Sequence, residues 1–249
     1  MSYLWNEIIY NDVPRPWGLY LKDPATTSHE GIIELNNIIM FYLIAILCLV
    51  TWLLFNIIQT YGRTPISLKY IKHGQTIEII LTILPAIVLL TIAYPSFVLL
   101  FICVEVIDPS LTIKATGMQW YWRYEYSDLI KSLGGTIEFD SYAIADDLLE
   151  PGHIRLLDTE TAVAVPVNTH VRFVVTSGDV LHDFANPSLG IKVDACHGRL
   201  NQVYALIQRE GVFYGMCSEL CGTAHSQMPI KIEAVSLELF LYWLQEQEE

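Results

Sequence analysis

Two uninterrupted apolar runs dominate the first half of the chain. Ile38 to Ile58 (IIMFYLIAILCLVTWLLFNII) carries no charge, and neither does Ile79 to Val104. At 1.5 Å per residue a helix of either length spans the ~30 Å hydrocarbon core of a bilayer. Pro85 and Pro95 lie inside the second run. A membrane helix tolerates them, because neighbouring helices or a local rearrangement satisfies the freed carbonyls. The pattern therefore predicts a two-helix transmembrane hairpin over residues 32–104, preceded by an arm at 1–31.

Beyond Val104 the period changes. Leu111–Ala115, Gln119–Tyr126, Val171–Thr176, Gln202–Ile207, Val212–Met216 and Ile230–Val235 are short runs rich in β-branched and aromatic residues. Gly134-Gly135, Pro151-Gly152, Ser177-Gly178 and Pro187 to Gly190 punctuate them. Many short strands between turn signals predict a Greek-key sandwich or barrel over 105–249. The chain closes on Ser236–Gln247, where Leu237, Phe240, Leu241 and Leu244 recur at helical spacing behind an N-cap serine. The fold class is thus a membrane-anchored all-β protein with a C-terminal helix.

Charge adds direction. The short hairpin between the two predicted helices, ahead of Glu78, holds Arg63, Lys69, Lys72 and His73 and no acid, whereas Arg15 and Lys22 stand against Glu7, Asp12, Asp23 and Glu30 near the N-terminus. The positive-inside bias keeps the basic loop on the inner side and puts both termini and the β-domain outside. After Val104 there are 21 Asp/Glu and nine Lys/Arg, so −12 of the formal net charge of −13 sits there. Such a field attracts a basic partner and repels nucleic acid. Met1 to Tyr10 lacks the basic start and apolar run of a secretory signal. It is either a short removable leader or an ordered arm.

The densest chemistry is Cys217-Ser-Glu219-Leu-Cys221-Gly-Thr-Ala-His225-Ser-Gln-Met228, with a second imidazole upstream at His182. Two thiolates, imidazoles and a thioether form a soft ligand set that favours copper over hard cations. A disulfide between Cys217 and Cys221, or structural zinc, competes on cysteine chemistry; methionine is not a usual zinc ligand, so copper is preferred. A single-copper electron-transfer site needs two histidines, one thiolate and a weak axial methionine. The extra cysteine fits two thiolates bridging two copper ions, each capped by one histidine.

At these residues the chain resembles the cytochrome c oxidase subunit 2 family, in wording most like its fungal mitochondrial members. The resemblance covers nearly the whole chain. Its strongest stretches are Gly117 to Tyr126 (GMQWYWRYEY), Asp179 to Ala185 (DVLHDFA), Pro187 to Lys192 (PSLGIK), Gly198 to Gln202 (GRLNQ) and Met216 to Gly222 (MCSELCG). It implies a dinuclear copper A centre in a cupredoxin-like barrel. Cys217 and Cys221 would bridge, His182 and His225 would cap, and Met228 and the Glu219 carbonyl would be weak axial ligands. The Glu219 side chain would hold a magnesium ion shared with subunit 1. Trp120 would be the exposed entry point for electrons from cytochrome c, with Glu125, Asp128, Asp179 and Asp194 near the docking face. Glu78 would stand at the mouth of a proton route into subunit 1.

The implied function is to accept electrons from reduced cytochrome c and pass them to haem a of subunit 1. Oxygen is there reduced to water with proton pumping, so this chain alone holds no complete active site. The implied surroundings are the mitochondrial inner membrane, the other oxidase subunits, and an intermembrane-space β-domain. Copper-free quinol oxidase subunits lack the ligand cluster, and a copper-storage or assembly protein would have little use for Trp120. One departure stands out: Cys196-His197 replaces the family's usual small or β-branched residue and proline before Gly198. Because the copper set is already complete, it reads as a tolerated loop change. Cys48 and Cys103 read as apolar packing residues of the membrane helices.

Overall fold

In the computed structural model the described residues are 13, 14, 17–62, 73–105, 108–126, 128 and 136–247. The possible leader Met1–Tyr10, the charges at Glu7, Asp12 and Arg15, the basic loop residues Arg63, Lys69 and Lys72, and the Gly134-Gly135 turn lie outside them. The chain forms two compact units: Gly31–Ile102, and the described residues before Gly31 together with those from Cys103 onward.

The first unit holds two helices. α1 (Thr27–Tyr61) is 35 residues and α2 (Gln75–Val104) is 30 residues, so each exceeds its charge-free run. α1 gains its extra turns at the N-terminus, where Thr26 Oγ1 accepts the His29 amide at 3.2 Å and caps the helix. α2 runs unbroken through Pro85 and Pro95. Their outward faces, including Leu54, Phe55, Leu89 and Leu90, stay uncovered, as expected of helices whose solvent is lipid. Cys48 is exposed and Cys103 only half-buried, so neither packs tightly within the described chain.

The second unit is a sandwich of two five-stranded sheets. One has the order β3 (Ile137–Ser141), β2 (Tyr121–Tyr126), β1 (Leu111–Met118), β5 (His170–Ser177), β8 (Asn201–Leu206). The other has the order β4 (Val163–Pro166), β10 (Pro229–Val235), β9 (Gly211–Cys217), β6 (His182–Asn186), β7 (Ile191–Ala195). β1 and β5 are parallel, as are β4 and β10, while the other named pairs are antiparallel. Alternation sets the core: Trp122, Tyr124 and Tyr126 of β2 point inward, as do Val171, Phe173 and Val175 of β5. They meet Phe184, Phe213, Ile230 and Ile232 of the facing sheet within one cluster. Trp122 packs edge-on against Phe184 at 5.2 Å between ring centres.

The strands run longer than their apolar runs in most cases, but Gln119-Trp120 is a turn between β1 and β2 rather than the start of β2. β3, β4, β6 and β7 are additional to the strands read from pattern. α3 (Leu237–Glu246) closes the chain, capped by Ser236 Oγ accepting the Leu239 amide at 3.4 Å. It buries Phe240 and Leu244, and its Trp243 packs on Tyr126. The segment before α1 is tied to the sandwich as well: the Ala25 amide donates to Ser188 O at 3.0 Å, and Thr26 Oγ1 donates to Leu189 O at 2.8 Å.

Candidate metal centre

Two strand ends and one loop build the centre. His182 opens β6, Cys217 closes β9, and the antiparallel pairing of Phe184 with Cys217 brings them side by side. The chain then loops outward through Glu219, Cys221 and His225 and returns at Met228 to start β10, where the Cys217 amide donates to Met228 O at 3.4 Å. The Ser218 amide donates to Asp183 O at 3.2 Å, pinning the base of the loop to β6. Gly222 has φ of +124°, which suits the turn after Cys221. His225–Gln227 is a single 3₁₀ turn, so the four-residue cysteine and histidine spacing does not lie on a helix.

The donor atoms converge. Cys217 Sγ lies 3.9 Å from Cys221 Sγ and 3.9 Å from His182 Nδ1. Cys221 Sγ lies 3.5 Å from His225 Nδ1 and 3.5 Å from Met228 Sδ, and Cys217 Sγ is 3.3 Å from Glu219 O. His182, Cys217 and Cys221 form a group whose donor atoms all fall within 4.8 Å of one another, and His225 is not in that group. The two imidazoles therefore approach the thiol pair from different ends. His182, Cys217, Cys221 and Met228 are buried and His225 is half-buried. Both cysteines are free thiols.

Electrostatics prepares one thiol. Burial pushes the Cys217 thiol up, but hydrogen bonds from His182, the Asp183 and Glu219 backbone and His225 outweigh it and bring the pKa down to about 7. Burial and the neighbouring Cys217 push Cys221 up to about 12. His182 is pulled down by burial and raised further by Cys217 and Asp179, with a net upward shift. Two sulfurs this close favour one thiolate over two. The donor set, two soft sulfurs with imidazoles and a thioether, fits copper.

Around it lies a supporting layer. A Cβ on Gly117 would stand 2.9 Å from His182 Cγ and Cδ2, so β1 passes beneath the imidazole only as glycine. Trp120 Nε1 and Gln119 Nε2 both donate to Cys221 O, at 3.3 and 3.0 Å. Trp120 is half-buried rather than exposed, because its ring lies on Gly222 and packs against the core. It lines an open groove of about 530 Å³ with Tyr142, Asp146, Arg155 and Gln227.

The four acids have separate surroundings. Glu125 pairs with Lys114 at 3.0 Å, Asp179 bonds His182 and the Gln119 amide, and Asp128 and Asp194 are exposed. Glu219 is exposed, and Glu78 lies in the first turn of α2, with the Gly74 amide 3.4 Å from its Oε1. Cys196 is half-buried with its carbonyl held by Thr176, and His197 is exposed. Neither belongs to the thiol and imidazole group. Gln119 was not legible as part of the site: its signal is a turn position and an amide reach, and neither stands out in a strand-like run.

Two membrane-length helices and a β-sandwich whose strand ends and following loop gather two cysteines, two histidines and a methionine define a membrane-anchored protein with a thiol-rich cluster able to hold a metal ion. The family model for the periplasmic domain of cytochrome c oxidase subunit II matches residues 111–235, and that for its transmembrane domain matches residues 14–99. The chain belongs to the cytochrome c oxidase subunit II family. It is 68% identical over 247 residues to cytochrome c oxidase subunit 2 of Kluyveromyces lactis, covering 99% of this chain and 100% of that one. Against subunit 2 of Lachancea kluyveri the identity is 69%, covering 99% and 98%. The crystal structure of the periplasmic domain of subunit II of cytochrome oxidase of Bradyrhizobium japonicum aligns with a TM-score of 0.52 at 45% identity. It covers 58% of this chain and 97% of that structure.

Proposed function

We propose that this chain is the electron-entry subunit of a mitochondrial cytochrome c oxidase. It accepts one electron at a time from reduced cytochrome c and passes it to haem a of subunit 1. Oxygen reduction and proton pumping belong to the assembled complex. The observation that carries the reading is the pair of thiols 3.9 Å apart with a histidine approaching from either end. Cys217 and Cys221 would hold two copper ions between them, with His182 and His225 capping, and Met228 and the Glu219 carbonyl as weak axial ligands. When bound, the copper pair supplies a one-electron redox centre whose charge is spread over two metals.

The protein's own groups do the rest. Burial of Cys217, Cys221 and Met228 excludes water from the sulfurs. Trp120 stands between the surface groove and the Cys221 carbonyl, which suits an entry point for electrons. Exposed acids such as Asp128 and Asp194 contribute to a field that speeds encounter with a basic protein. Glu219 would complete a magnesium site with subunit 1, and Glu78 would stand at the inner mouth of a proton path. In this reading residues 1–31 are an outer arm, 32–104 the hairpin in the inner membrane, and 105–249 the copper domain, with both termini in the intermembrane space.

The test is metal content of the purified full-length chain. Two coppers per chain are expected, with Cys217→Ser unable to retain the pair. Zinc, or a single copper unaffected by Cys217→Ser, would overturn the reading.

A further inference from the structure

Asp179, expected among the docking acids, is only partly exposed. Oδ1 lies 2.8 Å from His182 Nε2 and accepts the Val180 amide at 2.6 Å, while Oδ2 accepts the Gln119 amide at 2.7 Å. Ser177 Oγ in turn receives the Asp179 amide at 3.1 Å. The His182 side chain is 0% exposed and that of Asp179 is 27% exposed. Both carboxylate oxygens therefore already have partners within the domain.

We infer that Asp179 is a positioning residue that locks the His182 ring and the Gln119-Trp120 turn to one another. This rests on the reading of His182 and the two cysteines as copper ligands.

An ionised carboxylate only accepts, so His182 Nε2 is the donor to Asp179, and Nδ1 is left facing Cys217 Sγ. A carboxylate on the distal nitrogen is the usual means of fixing a ligating histidine's tautomer and orientation. The unusual part is what the other oxygen does. It holds the turn whose two side chains, Gln119 Nε2 and Trp120 Nε1, donate to the carbonyl of Cys221. The connections close a ring: His182 to Asp179, Asp179 to the Gln119-Trp120 turn, that turn to Cys221, Cys221 to Cys217, and Cys217 back to His182. One carboxylate thus sets the position of a ligand on one side and of Trp120 on the other. Asp194 on the neighbouring strand is exposed and serves as the comparison acid.

The experiment uses the whole purified oxidase carrying Asp179→Asn, Asp179→Glu or Asp194→Asn. Asp179→Asn replaces one acceptor by a donor and removes the charge. Asp179→Glu keeps the charge and lengthens the arm. Positioning predicts that both Asp179 variants shift the copper hyperfine pattern and near-infrared absorption. Resistance of the copper to a chelator should also fall about 10-fold or more, while Asp194→Asn keeps the wild-type spectrum. If Asp179→Asn does not assemble, Asp179→Glu still decides, because a docking acid that keeps its charge would leave the spectrum unchanged. A wild-type spectrum and chelator resistance in both Asp179 variants, with KM for cytochrome c raised only in the Asn form, would overturn the inference. Absence of the copper-pair signature in the wild type would instead sink the proposed function, so the two failures are separable.

Discussion

The indole Nε1 of Trp120 donates to the carbonyl oxygen of Cys221 at 3.3 Å. A surface-groove aromatic is thereby bonded to the backbone of a residue whose Sγ lies within the donor cluster. Trp120→Phe keeps a ring and deletes the donor. Copper content should be unchanged, while reduction by cytochrome c slows about tenfold, equivalent to about 1.4 kcal/mol on the barrier. Stopped-flow reduction with parallel metal analysis checks this, and an unaltered rate would remove Trp120 from the entry path.

Gly222 supports the same contact. Its φ is +124°, and an added Cβ would stand 3.1 Å from Trp120 Cζ2 and 3.3 Å from Nε1. Gly222→Ala should cost about 1–3 kcal/mol from backbone strain and push the indole off the Cys221 carbonyl. Chemical denaturation together with tryptophan fluorescence reports both effects.

Asp158 is buried and accepts from the Ile154 amide at 2.6 Å, Tyr214 Oη at 3.0 Å and Lys231 Nζ at 3.0 Å. Burial raises its pKa, but these donors outweigh burial and the net shift is downward. A carboxylate with a depressed folded pKa contributes stability above its unfolded value of about 4 and loses it as pH falls through the folded value. Asp158→Asn should therefore cost about 2 kcal/mol near neutrality, since the largely buried Lys231 loses its shorter ion pair and keeps only Glu233, at 3.5 Å. The difference from wild type should shrink below about pH 4. Denaturant midpoints across pH 3 to 7 measure it, and a pH-independent difference would contradict the role given to Asp158.

The acidic field predicts salt sensitivity. With −12 of the net charge after Val104, the apparent KM for a basic cytochrome c should climb as ionic strength shortens the Debye length below about 10 Å. Steady-state turnover over a salt series tests this. A flat KM would mean that the acids do not steer.

The thiol, imidazole and thioether cluster was legible because its residues are confined. Five of the six candidate copper ligands fall between Cys217 and Met228, and soft donors at that density have few other uses. The membrane helices were legible from uncharged length alone, although the capped first turns of α1 were not, since Thr27–Asn37 mixes polar and apolar residues. β6 left no alternation to read: His182–Asn186 is buried at every position. β4 has only four residues and ends on Pro166. These strands exist because a facing sheet covers them, a tertiary fact without a local signal.

The attachment of the segment before α1 was equally hidden. Thr26 bonds Leu189, 163 residues away, and His29 Nδ1 lies 3.0 Å from Ser188 O. Gln119 and the hydrogen bonds of Asp179 belong to the same class. Each matters through a turn that brings β1 and the β5–β6 connection together, and residue type alone did not separate them from a strand position or a surface acid.

The central claim is that Cys217 and Cys221 share two copper ions. Electron paramagnetic resonance of the oxidised full-length chain, alongside its copper count, tests this most directly. One unpaired electron spread equally over two copper nuclei, with two coppers per chain, is the predicted result. The hyperfine pattern of one isolated copper, or a chain that carries zinc, would contradict it.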